Sequence, residues 1–405
     1  MKLFKQEKVK NAVMIGSLCS VSYLAVYVAR NILSAVTPQM IAADGFTNGY
    51  IGEVSSVYFI FYAVGQLING AIGDKIKARY MISLGLILAG VSNLVFPGMS
   101  ATPEIAKYVY GMTGFFLSMI YGPMTKVVAE NTEPIYATRC SLGYTFASFL
   151  GSPAAGMLAA FLTWQSVFTS SSVILFVMGT ICFVMFGLFE RKGIVKYHQF
   201  DKPKNEKKGT IGVLIRHQII KFTFISVITG IVRTTVVFWL PTYIAQYLGF
   251  SAEEAASIFT VATLAISVTA FIAVFLYEHL GQDMHKTVFV VFTSATICFL
   301  IVYLVKTPVI NIIFMVLAIM SSNSAATMLW SRYCPSLRDT GMVSGATGFL
   351  DFMSYMAASI SSTIFANAVD VIGWGNLILV WFGLMIVGII VALPYDKFMR
   401  MKKIG

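Results

Sequence analysis

Charged residues are scarce in this chain of 405 residues, at 12%, whereas hydrophobic residues make up 57% and the mean hydropathy is +0.78. A soluble domain this apolar would aggregate, so the composition excludes an ordinary soluble protein. Acidic residues are rarer than basic ones, with 18 aspartates and glutamates against 29 lysines and arginines. No polar segment is long enough to form a folded basic face, so the positive charge does not indicate a nucleic-acid partner.

Cysteine is also sparse, and the five cysteines are scattered and odd in number, which predicts neither a disulfide framework nor a metal site. The chain lacks a phosphate-binding glycine loop followed by Lys-Ser/Thr, and it lacks a G-x-S-x-G nucleophile turn. We therefore expect no enzyme, no ATP-driven pump, no cofactor and no metal.

Apolar sequence is abundant instead. Segments of about 20 residues or more, each able to cross about 30 Å of hydrocarbon, recur along the whole chain. This pattern predicts an all-α membrane protein with twelve transmembrane helices. We expect them at 12–40, 48–73, 78–98, 104–128, 136–162, 165–189, 213–246, 251–279, 286–305, 308–331, 341–369 and 374–396.

Lysines and arginines at the segment ends predict the orientation, because cytoplasmic loops hold the positive charge. With the N-terminus inside, these cations fall on the cytoplasmic side except for Lys107 and Lys306. The first ten residues carry four lysines ahead of a segment far longer than a signal-peptide core, which indicates a retained tail. We expect both termini to be cytoplasmic and the membrane to be a bacterial inner membrane.

A polar stretch from Glu190 to Thr210 divides the chain almost in half and is typical of a flexible cytoplasmic linker, although a regulatory site is an alternative. We predict one six-helix half at 1–190, a linker at 191–211 and a second six-helix half at 212–405. Each half has an arginine in an apolar segment, a proline eight residues later, and then Gly-Phe-Thr or Gly-Phe-Ser. These are Arg30, Pro38 and 45–47, and Arg233, Pro241 and 249–251. A parallel duplication of this kind is typical of transporters whose site lies near the midplane.

The two arginines themselves predict an anion site. A charge at bilayer depth costs from about 2.5 to over about 10 kcal/mol, so it usually faces a cavity, a partner or a ligand. A guanidinium presents a fixed fork of donors to an oxyanion and stays charged at physiological pH. Arg30 and Arg233 could therefore hold one anion from both halves and couple its binding to closure.

Polar and aromatic side chains follow helical spacing in the first two segments, which indicates a wet cavity between them. Tyrosines that anchor the helices at the membrane interface are the alternative, chiefly for Tyr23 and Tyr58. The two faces consist of Tyr23, Tyr27 and Arg30 in the first helix, and Tyr58, Tyr62, Gln66 and Asn69 in the second.

The loop from Gly70 to Arg79 resembles the signature of the major facilitator superfamily between helices two and three, with Lys77 in place of the usual second glycine. Asp74 can cap neighbouring helix ends while Lys75 and Arg79 bind across the cytoplasmic side, which would gate the conformational change. An ordinary basic cytoplasmic loop is the alternative.

Four motifs stand out along the chain: Tyr23, Tyr27 and Arg30; Arg233, Trp239, Pro241, Thr242 and Tyr243; Gly122, Pro123 and Lys126; and Gly341–Tyr355. With these motifs, most of the chain resembles the organophosphate:phosphate antiporters, which include glycerol-3-phosphate and hexose-phosphate transporters and a related sugar-phosphate sensor. The resemblance implies that the paired arginines bind the substrate's phosphate and that inorganic phosphate is the counter-substrate.

The chain departs from that family where its transporters often carry a cation. Asn31 and Gln66 stand where lysine is frequent, and the stretch Phe146–Gly151 in helix five has no histidine. The site is therefore less cationic, which favours a singly charged anion such as a carboxylate or sugar acid.

Asp351 adds a carboxylate to helix eleven, with Tyr355 one turn further on. It could pair with an arginine, contact a substrate hydroxyl or amine, or couple transport to protons. We favour the first two, because a neighbouring arginine lowers the pKa of a carboxylate.

Together these residues predict a monomeric secondary transporter in the lipid bilayer that exchanges a small anion, a phosphate ester, for inorganic phosphate by alternating access. The alternatives are a symporter of sugar acids or other carboxylates, and a membrane sensor of sugar phosphate that does not transport. The predicted substrate-binding residues are Arg30, Arg233, Tyr27, Tyr62, Gln66, Tyr23, Asp351 and Tyr355.

Overall fold

The computed structural model describes residues 2–73, 76–99, 101–197, 211–337 and 343–393, and helices make up nearly all of this part of the chain. Six long helices precede the linker. Their bounds are Lys2–Asp44 (α1), Asn48–Gly73 (α2), Ala78–Val95 (α3), Pro103–Asn131 (α4), Pro134–Phe161 (α5) and Trp164–Arg191 (α6).

Six further spans follow a short helix at Ile211–Arg216. α7 consists of Ile219–Gly230, a π-helical turn at Ile231–Val236, and Val237–Gln246. α8 consists of Ala252–Ser267 and Thr269–His279, α9 is Met284–Leu304, and α10 is Pro308–Met328 with a π-helical turn at Leu329–Tyr333. The last helical run, Val343–Ala392, is interrupted at Gly373 (φ 74°, ψ 165°), which separates α11 from α12. The prediction of twelve helices is confirmed.

Large apolar side chains cover much of the outer surface of these helices. Nine of the helices in the described ranges are long and apolar enough to cross a bilayer, and the last of the nine, Ala346–Ala392, contains both α11 and α12. Phe161, Phe271 and Val371 are 80%, 67% and 83% exposed. Such surfaces are stable against lipid rather than water, as expected of a multi-pass membrane protein.

The helices pair in the same way on both sides of the linker. α1 packs against α5, α2 against α4, and α3 against α4 and α6. Correspondingly, α7 packs against α11, α8 against α10, and α9 against α10 and α12. This repeated pairing confirms the duplicated architecture that the arginine and proline spacing predicts.

The two Gly-Phe turns also repeat their geometry. Gly45 and Gly249 both have positive φ, 68° and 78°, which a glycine adopts without strain at the end of a helix. Thr47 Oγ1 then accepts the Tyr50 backbone N–H at 3.1 Å. Ser251 Oγ accepts the backbone N–H of residue 254 at 3.2 Å, so both turns cap the following helix.

The chain divides into two compact units that do not coincide with the predicted halves. One unit comprises the described residues within Met1–Asn205 and Leu240–Leu264, and the other those within Glu206–Trp239 and Ala265–Gly405. Helices α7 and α8 therefore each contribute to both units. The predicted boundaries at 190 and 212 stay a prediction, since residues 198–210 of the linker lie outside the described part.

Candidate anion-binding site

Arg30 lies between two tyrosine rings in the first unit. Its guanidinium carbon is 5.4 Å from the centroid of the Tyr27 ring and 5.0 Å from that of Tyr62. Tyr62 is buried, at 3% exposure, whereas Arg30 and Tyr27 are half-buried. Cation–π contacts of this kind contribute about 0.5–2 kcal/mol, so the two rings hold the guanidinium in place inside an apolar bundle.

The other predicted residues of this unit surround that stack. The Tyr23 ring contacts the Tyr27 ring at a centroid distance of 5.0 Å. Tyr58 stacks on Tyr62 at 6.3 Å, and Gln66 is half-buried one turn beyond Tyr62. Helices α1 and α2 therefore bring the predicted tyrosines and Arg30 together. Tyr23 and Tyr58 are themselves buried, so they support the stack rather than line an open surface.

A close approach of α1 and α5 fixes the position of this stack. A Cβ atom at Gly151 would lie 2.7 Å from the carbonyl carbon of Tyr27 and 3.0 Å from its Cα, so only glycine fits there. Asn31 Nδ2 donates to the Tyr27 carbonyl oxygen at 2.6 Å. Asn31 therefore binds its own helix at the position where the resembling transporters often carry lysine. Arg30 lies three residues beyond this helix crossing.

Arg233 lies at the equivalent distance from a helix crossing in the second unit. A Cβ at Gly230 would lie 2.8 Å from the Ser354 carbonyl oxygen, so α7 and α11 touch at this glycine. Arg233 follows three residues later, within the π-helical turn, and its guanidinium carbon is 6.0 Å from the centroid of the Tyr355 ring. Both arginines thus stand three residues after a close contact between paired helices, and both contact tyrosine rings.

Asp351 is half-buried on α11, directly after Leu350, whose carbonyl oxygen accepts a hydrogen bond from Ser226 of α7 at 2.7 Å. It lies one turn before Tyr355, the ring that contacts Arg233. The predicted residues Asp351, Tyr355 and Arg233 therefore belong to the same pair of helices.

Sequence reasoning missed the residues that set these crossings. Gly151 and Gly230 carry no chemistry of their own, and Thr235 and Ser361 form a buried hydroxyl pair with oxygens 2.8 Å apart. For the crossing of α7 and α11, the signal available in the sequence was the glycine three residues before Arg233. For Gly151 no such local signal existed, because its partner Tyr27 is distant in the chain.

The predicted gating residues are described only in part. Asp74 and Lys75 lie outside the described residues. Arg79 packs on α6, with its guanidinium carbon 4.0 Å from the Phe183 ring centroid and 2.8 Å from where a Cβ at Gly187 would stand. This contact attaches the start of α3 to α6, and the gating role stays a prediction.

A model of the Major Facilitator Superfamily matches residues 19–362, a range that contains both arginines and their helix crossings. The chain belongs to the Major Facilitator Superfamily. The family and the solved structural neighbours are membrane transporters, which confirms the expectation that the chain is not an enzyme.

Curated relatives of this superfamily member confirm the resemblance to the organophosphate:phosphate antiporters. A probable hexose phosphate transport protein of Chlamydia trachomatis is 23% identical over 167 residues, covering 40% of this chain and 35% of the relative. The glycerol-3-phosphate transporter of Bacillus subtilis is 23% identical over 256 residues, covering 58% and 57%. The membrane sensor protein UhpC of Salmonella typhimurium is 30% identical over 94 residues, covering 23% and 21%. The matched part thus spans from about a fifth to little more than half of these relatives.

Solved structures of superfamily members share the fold. A bacterial homologue of the human lysosomal transporter Spinster has a TM-score of 0.69 at 12% identity, covering 93% of this chain and 94% of that one. The nucleoside transporter NupG has a TM-score of 0.71 at 12% identity, covering 94% and 98%. At these identities the likeness establishes the architecture alone.

Proposed function

We propose that this superfamily member is a secondary transporter that exchanges a phosphate ester for inorganic phosphate, with Arg30 and Arg233 binding the anionic group. The observation that carries the proposal is the repeated placement of the arginines. Each follows a close helix crossing by three residues and contacts a tyrosine ring, at 5.4 Å for Tyr27 and 6.0 Å for Tyr355. A half-buried cation at the depth of the membrane in both repeats is costly without an anionic ligand.

The relatives support the class of substrate. The Chlamydia and Bacillus proteins are named for hexose phosphate and glycerol-3-phosphate, and both ligands carry a phosphate that guanidinium groups bind bidentately. Residues Tyr62, Gln66 and Asp351 complete the proposed substrate-binding set, and the buried Tyr23 supports it through its contact with Tyr27. The excess of lysine and arginine at alternate helix ends supports cytoplasmic termini, and the Chlamydia and Bacillus relatives support a bacterial membrane.

The test is uptake of radiolabelled inorganic phosphate into proteoliposomes preloaded with phosphate, followed by inhibition with glucose 6-phosphate, glycerol 3-phosphate and sugar acids. Arg30→Lys and Arg233→Lys keep the charge but lose the planar fork of donors, and we expect each to reduce exchange at least tenfold. Arg332→Lys is the matched control, because Arg332 also stacks on a tyrosine, Tyr277 at 4.6 Å, but is exposed. Full exchange by either test variant would remove the arginines from the mechanism.

A non-transporting sensor is the second candidate, favoured by the match to UhpC. It predicts binding of a phosphate ester, measured by a shift in thermal unfolding, together with no exchange in proteoliposomes. A sugar-acid symporter, which Asn31 and Gln66 favour, would instead show uptake of the sugar acid without phosphate exchange.

A further inference from the structure

Helix α7 departs from regular α geometry at Ile231–Val236, and Arg233 lies in this π-helical turn. A π turn inserts one residue into an α-helix, and such insertions are frequent at functional sites. Contacts between α7 and α11 show where the extra residue falls. Before the turn, Ser226 Oγ donates to the Leu350 carbonyl oxygen at 2.7 Å, and Gly230 lies against the backbone of Ser354.

After the turn, Thr235 Oγ1 donates to the Ala358 carbonyl oxygen at 3.1 Å and lies 2.8 Å from Ser361 Oγ. The Thr235 side chain is completely buried, at 0% exposure. Its hydroxyl therefore ties the far end of the turn to α11. The neighbouring Thr234 has a buried hydroxyl that, among the described residues, lacks a hydrogen-bond partner, so Thr234 does not supply that tie.

The register of these contacts locates the insertion. From 226 to 230 on α7 and from 350 to 354 on α11, both helices advance by four residues. From 230 to 235 α7 advances by five, while α11 advances by four from 354 to 358. The extra residue thus falls between Gly230 and Thr235, in the interval that contains Arg233.

This insertion changes the direction in which Arg233 leaves the helix. An α-helix turns about 100° per residue, so four residues between successive contacts with α11 turn it by about 400°. Between Gly230 and Thr235 five residues complete the same rotation, which gives about 80° per residue. Arg233, three residues beyond Gly230, is therefore turned by about 60° from its position in a regular α-helix. On α1, Arg30 also lies three residues beyond a crossing, but that helix is α-helical throughout. The two arginines therefore project at different angles from equivalent positions.

We propose that Thr235 is a positioning residue for anion binding: its bond to α11 holds the π turn and so sets the direction of the Arg233 guanidinium. Gly230 permits the near end of the turn, since any side chain there would contact Ser354. The inference rests on the proposed function, in which Arg233 binds the substrate.

The test compares three new variants with Arg233→Lys in the phosphate exchange assay, with inorganic phosphate as the probe. Thr235→Val removes the hydroxyl and keeps the branched shape, and Thr235→Ser restores the hydroxyl. Ser226→Ala is the matched control, because it removes a similar buried hydroxyl-to-carbonyl bond between the same two helices, four residues before Gly230. Thermal unfolding of each purified variant reports the purely structural cost.

We expect Thr235→Val to raise the half-saturating phosphate concentration about tenfold and Thr235→Ser to recover most of that loss. Ser226→Ala should lower the unfolding temperature as much as Thr235→Val does and leave the half-saturating concentration within twofold of the wild type. If Thr235→Val and Ser226→Ala affect affinity equally while Arg233→Lys abolishes exchange, the positioning role is wrong and the proposed function stands. If Arg233→Lys exchanges normally, both proposals fail.

Discussion

Substitution of Gly151 on α5 by alanine should disturb the stack of Arg30 between Tyr27 and Tyr62, although these three residues lie on α1 and α2. The added Cβ would lie 2.7 Å from the Tyr27 carbonyl carbon and 3.0 Å from its Cα, both backbone atoms. Carbon atoms in contact are about 3.5–4.0 Å apart, so α1 and α5 would have to separate by about 1 Å. Overpacking of this kind costs about 1–3 kcal/mol, against a gain of about 1 kcal/mol from replacing a helical glycine.

The displacement acts on function through Tyr27. Its ring is 5.4 Å from the Arg30 guanidinium, and a shift of about 1 Å changes both the stacking and the direction of the donors. Losing one well-aligned charged hydrogen bond to the anion costs about 1.5–3 kcal/mol, which is about 10- to 150-fold in affinity. We therefore expect Gly151→Ala to raise the half-saturating phosphate concentration in exchange assays at least tenfold.

Gly122→Ala is the matched control, because a Cβ at Gly122 on α4 would meet nothing within 4 Å. It should exchange phosphate as the wild type does and unfold at the same temperature or slightly above it. The reasoning would be refuted if Gly151→Ala matched Gly122→Ala in both affinity and unfolding temperature, since the tight crossing would then tolerate a methyl group.

Two further predictions concern α11 and its junction with α12. Asp351→Asn should change the relative inhibition of exchange by glycerol 3-phosphate, glucose 6-phosphate and sugar acids more than it changes the unfolding temperature. If the ranking of these inhibitors is unchanged and expression is lost, a structural role is favoured. Gly373→Ala places a Cβ on a residue with φ 74° and ψ 165°, a region that only glycine adopts readily; the strain costs about 1–3 kcal/mol, so the unfolding temperature should fall. Gly98→Ala, where a Cβ would meet nothing within 4 Å, serves as its control and should leave that temperature unchanged.

The features that the sequence predicts well are those set by local spacing. Twelve apolar segments and the repeated spacing of the arginine, the proline and the Gly-Phe turn all depend on residues near one another in the chain. The tyrosine stripe of α1 also follows from helical periodicity, and it places Tyr23, Tyr27 and Arg30 on one face as expected.

The features that the sequence does not predict depend on contacts between distant segments. The crossing at Gly151 requires the packing of α5 on α1, and nothing near Gly151 indicates its partner. The π turn around Arg233 cannot be recognised from local propensity, because the extra residue is defined only by the register of α7 against α11. The distribution of α7 and α8 over two compact units likewise follows from packing rather than from the position of the linker.

Lys221, near the start of α7, has a consequence for how the protein is made. Its Nζ donates to the carbonyl oxygens of Ala392 and Leu393 at 3.1 and 3.0 Å, so a cation early in the second half caps the last helix. These partners are 171 and 172 residues apart in the chain. During synthesis these two hydrogen bonds cannot form until α12 has left the ribosome, and premature termination before Ala392 removes the carbonyl groups to which Lys221 donates.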